Sequence, residues 1–144
     1  MRVAKEWIVL KLVSFAVVTC LVFLSCSSQH SGRKSIGVTL LTKEHVFYRD
    51  LETGLRQAAQ DKGYDLLVTS GDWDLAKQQG QIENFIVQKV DAIIVCPVNS
   101  KGIGPAIEKA SQARIPVFTA DIKADSGPVI SHIASDNFLG GNPG

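Results

Sequence analysis

The stretch DAIIVCPVNSKGIGPAIEKASQARIPVFTAD, residues 91–121, decides the fold. Its two ends, residues 91–95 and 116–120, are apolar runs of strand length. Between them Ile103, Ile107, Ala110 and Ala113 recur at helical spacing, behind Asn99 or Ser100 as N-cap candidates. Pro116 opens the second run where a helix cannot continue. A strand, a helix and a strand in so short a stretch form a βαβ unit, and the same rhythm extends outward. Further strand-length runs lie at residues 36–41 and 64–68, with a weaker one at 129–134. The first four runs start 28, 27 and 25 residues apart. Phe47, Leu51, Leu55, Ala58 and Ala59 mark a helical stripe after the first run, and Gly63 stands where a left-handed cap is expected. Leu75, Ile82, Phe85 and Ile86 mark another stripe after the second. Strands that are apolar almost throughout are buried on both faces, as in a parallel sheet. The pattern predicts an α/β fold: an open parallel sheet with helices on both faces.

The whole chain has 144 residues, 45% of them hydrophobic, with 15 Lys and Arg against 14 Asp and Glu. This balance excludes both disorder and a basic surface for nucleic acid. The amino terminus is different in kind. Arg2, Lys5 and Lys11 precede or interrupt an apolar core at residues 12–24, whose 13 residues suit a signal peptide better than a membrane span of about 20. Removing residues 1–25 leaves 119 residues with 12 basic and 13 acidic side chains. Residues 27–35 are polar and lack an apolar period. Cys20 lies inside the apolar core as a small hydrophobe, and Cys26 and Cys96 remain, too few for a disulfide framework once Cys26 is modified.

Ligands of open α/β sheets bind outside the carboxyl ends of the strands. The segments to read are therefore residues 42–48, 69–74, 96–100 and 121–123. No phosphate-cradling glycine motif follows a strand, and residues 101–104, Lys-Gly-Ile-Gly, read as a loop. Three scattered histidines and the cysteines lack metal-ligand spacing, and no nucleophile elbow is present. The sequence therefore calls for no metal and no cofactor.

At these positions the residues resemble the ribose-type periplasmic sugar-binding proteins of ABC importers. The resemblance rests on Val46-Phe-Tyr48, Gly63-Tyr64, Ala92-Ile-Ile-Val95, Ile115-Pro-Val-Phe-Thr-Ala-Asp121 and Ser131-His-Ile-Ala-Ser-Asp-Asn137, and runs from Ile36 to about Gly141. It implies the amino-terminal lobe of the type I binding-protein fold and a monosaccharide as ligand. Phe47 and Tyr48 fall on the pair of rings that stack on the sugar, His45 on a polar contact, and Asp121 on the carboxylate that accepts from hydroxyls. The pattern has Arg directly after that carboxylate, where this chain has Ile122, and Cys96 stands where some relatives have a polar contact. These departures point away from ribose itself within the sugar class. Asp136 reads as a helix N-cap outside the site, and Trp73 flanks either the cleft mouth or the adjacent helix.

Phe23-Leu-Ser-Cys26 likewise resembles the lipobox of bacterial lipoproteins, with Phe23 where Leu is preferred. It implies lipidation at Cys26 and a membrane-anchored location outside the cytoplasm. A cleaved soluble signal peptide and an uncleaved anchor over residues 8–24 are the other readings. The expected organisation is a signal peptide (1–25), lipidated cysteine and tether (26–35), sugar-binding lobe (36–125), and crossover with the start of a second lobe (126–144). The family has two lobes and chains about twice this long, so a fragment that binds sugar weakly is expected. Its expected partners are a monosaccharide, an ABC permease and membrane lipid, with no nucleic acid. A sugar sensor acting on a chemoreceptor or membrane kinase is the alternative role, and an exported enzyme a more distant one.

Overall fold

The computed structural model describes residues 32–134. The expected signal peptide, the expected lipidation site Cys26, most of the expected tether, Asp136 and Asn137 lie outside the described residues. Within them the chain alternates as expected: β1 (Ser35–Leu40), α1 (Val46–Lys62), β2 (Asp65–Ser70), α2 (Leu75–Gln88), β3 (Ala92–Val95), α3 (Gly104–Gln112), β4 (Val117–Ala120) and β5 (Ser131–Ile133). The five strands form one sheet in the order β2-β1-β3-β4-β5, with every pair parallel. Among the described residues, no helix is long and apolar enough to cross a membrane.

Side-chain alternation divides the core between the two faces of the sheet. Val38 and Leu40 of β1, with Cys96 at the end of β3, pack with Tyr48, Leu51 and Leu55 of α1. Ile93 and Val95 of β3 and Val117 of β4 face the other way, against Ile82 and Phe85 of α2 and Ala106 and Ile107 of α3. Helix α1 ends at Gly63, whose φ of 70° is left-handed and whose N–H, with that of Tyr64, closes on the last turn.

Two sequence expectations need correction. The buried face of α1 is headed by Tyr48, followed by Leu51, Leu55 and Ala59, while Phe47 and Ala58 are exposed. The helix is rotated because the Tyr48 hydroxyl finds a partner below it, so a phenol ring can be buried at no hydrogen-bonding loss. Asn99 and Ser100 do not cap α3. The Asn99 side chain accepts from the N–H groups of Lys101 and Gly102, capping a turn, and α3 starts only at Gly104 with Pro105 in its first turn.

A close approach fixes α2 on the sheet. A Cβ on Gly37 would lie 2.6 Å from the Phe85 ring, which is itself 2% exposed. Gly54, in the middle of α1, has open space at that position. Gly37→Ala is therefore expected to lower the unfolding free energy by about 1–3 kcal/mol through overpacking. Gly54→Ala should raise it by about 0.5–1 kcal/mol. Urea denaturation of the two variants checks both signs.

Candidate functional site

In a parallel sheet all carboxyl ends share one edge. The order β2-β1-β3 makes the chain turn to opposite sides of β1, which opens a crevice beyond the ends of β1 and β3. Buried amides hold that edge. Gln78 of α2 is fully buried: its Nε2 donates to the Cys96 carbonyl at 3.0 Å and to Thr39 Oγ1 at 3.3 Å, and its Oε1 accepts from the Val98 N–H at 2.8 Å. Thr39 Oγ1 donates to Gln81 Oε1 at 2.7 Å, and Gln81 Nε2 donates to the Ser70 carbonyl at 2.7 Å. The ends of β1, β2 and β3 are thus tied to one helix.

The four expected site residues meet around Tyr48. His45 is the N-cap of α1, and its Nδ1 accepts from the Phe47 N–H at 3.2 Å. In the neutral ring this places the proton on Nε2 as a donor. The Phe47 ring is 39% exposed and stands edge-on to Tyr48, centroids 5.1 Å apart, with the His45 ring 6.4 Å from Tyr48 on a similar edge contact. Tyr48 is only 6% exposed, and its hydroxyl donates to Asp121 Oδ2 at 2.6 Å. The exposed aromatic area at this point is therefore that of Phe47, and Tyr48 acts on the carboxylate.

Asp121 directly follows β4 with a left-handed φ of 65°. Its N–H donates to the Ile133 carbonyl at 2.9 Å, and that of Ile122 to Ala120 at 2.8 Å, so the turn is held on both sides. The Ile122 side chain packs against the α1-side core, putting apolar bulk where the family pattern has Arg. Cys96 is a free, fully buried thiol in the same core, pushed up to about 12 by burial and then by the charge of Asp121. Burial, followed by the hydrogen bond and charge of Asp121, also holds the Tyr48 phenol well above the usual tyrosine range.

Sequence reasoning missed the buried amides and the strain beside them. Gln78 and Gln81 lie on a helix whose apolar stripe alone was legible. Asp72 and Trp73 are consecutive left-handed residues (φ 49° and 66°), a conformation rare for a bulky side chain. Asp72 is held by the Lys77 ammonium and the Ser70 hydroxyl, which keep its carboxyl below the usual range. Trp73 is 65% exposed at the rim. Among the described residues no group of three His, Cys, Asp or Glu side chains could hold a metal ion.

A parallel sheet in this order, with rings and a carboxylate gathered at its carboxyl crevice, is the lobe architecture of the type I periplasmic binding proteins. The chain belongs to the periplasmic binding protein domain family, whose sequence profile matches residues 36–142. The ribose import binding protein of Haemophilus influenzae is 36% identical over 118 residues, which cover 82% of this chain and 40% of that protein. That of Salmonella typhimurium is 34% identical over 115 residues, covering 80% and 39%. An ABC transporter periplasmic solute-binding protein from Actinobacillus succinogenes with bound D-allose superposes with a TM-score of 0.70 at 30% identity, covering 76% of this chain and 41% of that one. The chain spans about 40% of the length of these curated relatives. The ribose-type resemblance read from the sequence is borne out.

Because folding raises the Tyr48 pKa, its contribution to stability is complete below the ordinary tyrosine value near 10 and is lost as pH rises above it. Urea denaturation between pH 9 and about 11 should therefore show a steeper loss of stability in the native chain than in Tyr48→Phe. Equal slopes would mean that neither burial nor Asp121 raises the phenol in the folded chain.

Proposed function

We propose that the chain supplies the amino-terminal sugar-binding lobe of the substrate-binding component of an ABC sugar importer, exported and tethered to the membrane through Cys26. The proposed organisation is that expected from the sequence: signal peptide 1–25, lipidated cysteine and tether 26–35, lobe 36–125, and crossover with the start of a second lobe at 126–144. The role is binding, without turnover. The observation that carries it is the convergence of an exposed ring, a histidine donor and an oriented carboxylate at one crevice. Tyr48 occupies Asp121 Oδ2 and leaves Oδ1 to accept from a ligand hydroxyl. Sugar hydroxyls need such partners, since a buried unpaired one costs about 1–3 kcal/mol. The face of a furanose or pyranose ring is apolar enough to lie on Phe47. Curated relatives include import binding proteins for ribose, fructose and D-apiose beside a xylitol-binding protein, which supports a small polyhydroxylated ligand such as a monosaccharide.

The described lobe offers one wall, whereas small-molecule sites bury about 70–90% of a ligand. Titration of the isotope-labelled chain with D-ribose, D-allose and L-arabinose, followed by amide chemical shifts, should move Phe47, Tyr48 and Asp121 with millimolar or weaker affinity. Asp121→Ala should abolish the shifts while the rest of the spectrum stays folded. Submillimolar affinity would contradict the single-wall reading, and shifts absent from this edge with every sugar would overturn the site.

A further inference from the structure

One group at the crevice stands out of electrostatic balance. Asp121 is exposed, and among the described residues no ion pair includes it. Tyr48 donates to its Oδ2 as a neutral phenol, which leaves Oδ1 to a ligand. The cations around the crevice loops are engaged elsewhere: Lys43 with Glu52 at 3.2 Å, Lys77 with Asp72, and Arg49 with the Glu44 carbonyl at 3.0 Å. Lys123, two residues after Asp121, is exposed and forms no ion pair with it. Ile122, directly after the carboxylate, packs into the core with Tyr48. His45 supplies no charge either, because an Nδ1 that accepts the Phe47 N–H belongs to a neutral ring.

The imbalance reaches the side chains below. Burial first, and Asp121 after it, hold up both the Tyr48 phenol and the Cys96 thiol, and no cation offsets that field at either group. In the open crevice, water solvates the carboxylate. A ligand seated on Phe47 displaces part of that water, and a charge taken out of water is costly unless it is paired. A sugar hydroxyl replaces the lost water with a neutral hydrogen bond. An ammonium group replaces it with a charge-assisted one, roughly twice as strong. A metal ion does not fit the same place, since among the described residues no group of three ligating side chains gathers there.

We propose that the crevice selects an amino sugar, a monosaccharide whose protonated amine meets Asp121 Oδ1 while an apolar face of its ring lies on Phe47. The inference rests on the sugar-binding reading of this site and sharpens it to a cationic ligand.

The isotope-labelled chain is titrated with D-glucosamine, D-galactosamine and D-mannosamine hydrochlorides, each beside its neutral parent D-glucose, D-galactose or D-mannose. Chloride is matched and the pH held at about 7, where such an amine is mostly protonated. Affinities are read from the amide shifts of Phe47, Tyr48 and Asp121. At least one amino sugar should bind about five-fold tighter than its parent, or more. Asp121→Asn keeps an acceptor for the Tyr48 hydroxyl and removes the charge, so it should bring that preference to within about two-fold. A smaller preference than five-fold in all three pairs, or one that survives in Asp121→Asn, overturns the inference; neutral sugars that still shift these amides then leave the sugar-binding reading standing. No shift at this edge with any sugar, charged or neutral, overturns both. Methylammonium chloride is the remaining control. Binding as tight as that of the amino sugar would show that the ring contributes nothing, and would also overturn the inference.

Discussion

Strand β1 is the element from which every other takes its position. It is paired along both edges, with β2 on one side and β3 on the other, and covered on both faces. Val38 and Leu40 meet α1 on one face, and the missing side chain of Gly37 lets the Phe85 ring rest against the backbone on the other. At its start the Ser35 N–H donates to the Asp91 carboxylate at 2.7 Å while the Asp91 N–H donates back to the Ser35 carbonyl at 2.8 Å, which sets the register of β3. A one-residue slip would turn Val38 and Leu40 to the α2 face and Thr39 to the α1 face, so burial and register enforce each other.

Strain and satisfaction are distributed unevenly over the lobe. At the amino edge, the left-handed residues Gly63, Lys89 and Arg114 follow helices, where such geometry is ordinary chain reversal. At the carboxyl edge, Asp72, Trp73 and Asp121 adopt it in loops, at a cost of about 1–3 kcal/mol each. The Thr39–Gln78–Gln81 network lies directly beneath, and among the described residues no buried side-chain polar atom lacks a partner. A rigid, fully bonded floor is what lets the loops above it hold unfavourable backbone angles.

The fold was legible because its signals are local and repeated. Each strand was found within one or two residues, since apolar runs and the positions of Gly63 and Pro116 are properties of short windows. The Asn99 error is local, a side chain that caps a turn instead of the helix after it, whereas the others arise from side chains satisfied by distant partners. Tyr48 was read off the α1 stripe because a phenol at that place makes sense only with Asp121, 73 residues away. Gln78 carried no signal of its own because its partners, Cys96 and Val98, lie past the end of another strand. The residue types of the site were visible in sequence; the division of labour between the Phe47 ring and the Tyr48 hydroxyl was not.

The central place of β1 also sets when the lobe can form. Its two partners are reached only after two helical crossovers, and the bonds between Ser35 and Asp91 close a loop of 56 residues. Before β3 is available, β1 has one edge unpaired and Phe85 has only part of its floor. Closing so long a loop carries its entropic cost before the contacts repay it, which makes assembly late and concerted. A nascent chain that stops short of Val95 is therefore still an open polymer, narrow enough to thread a channel that the folded lobe could not enter.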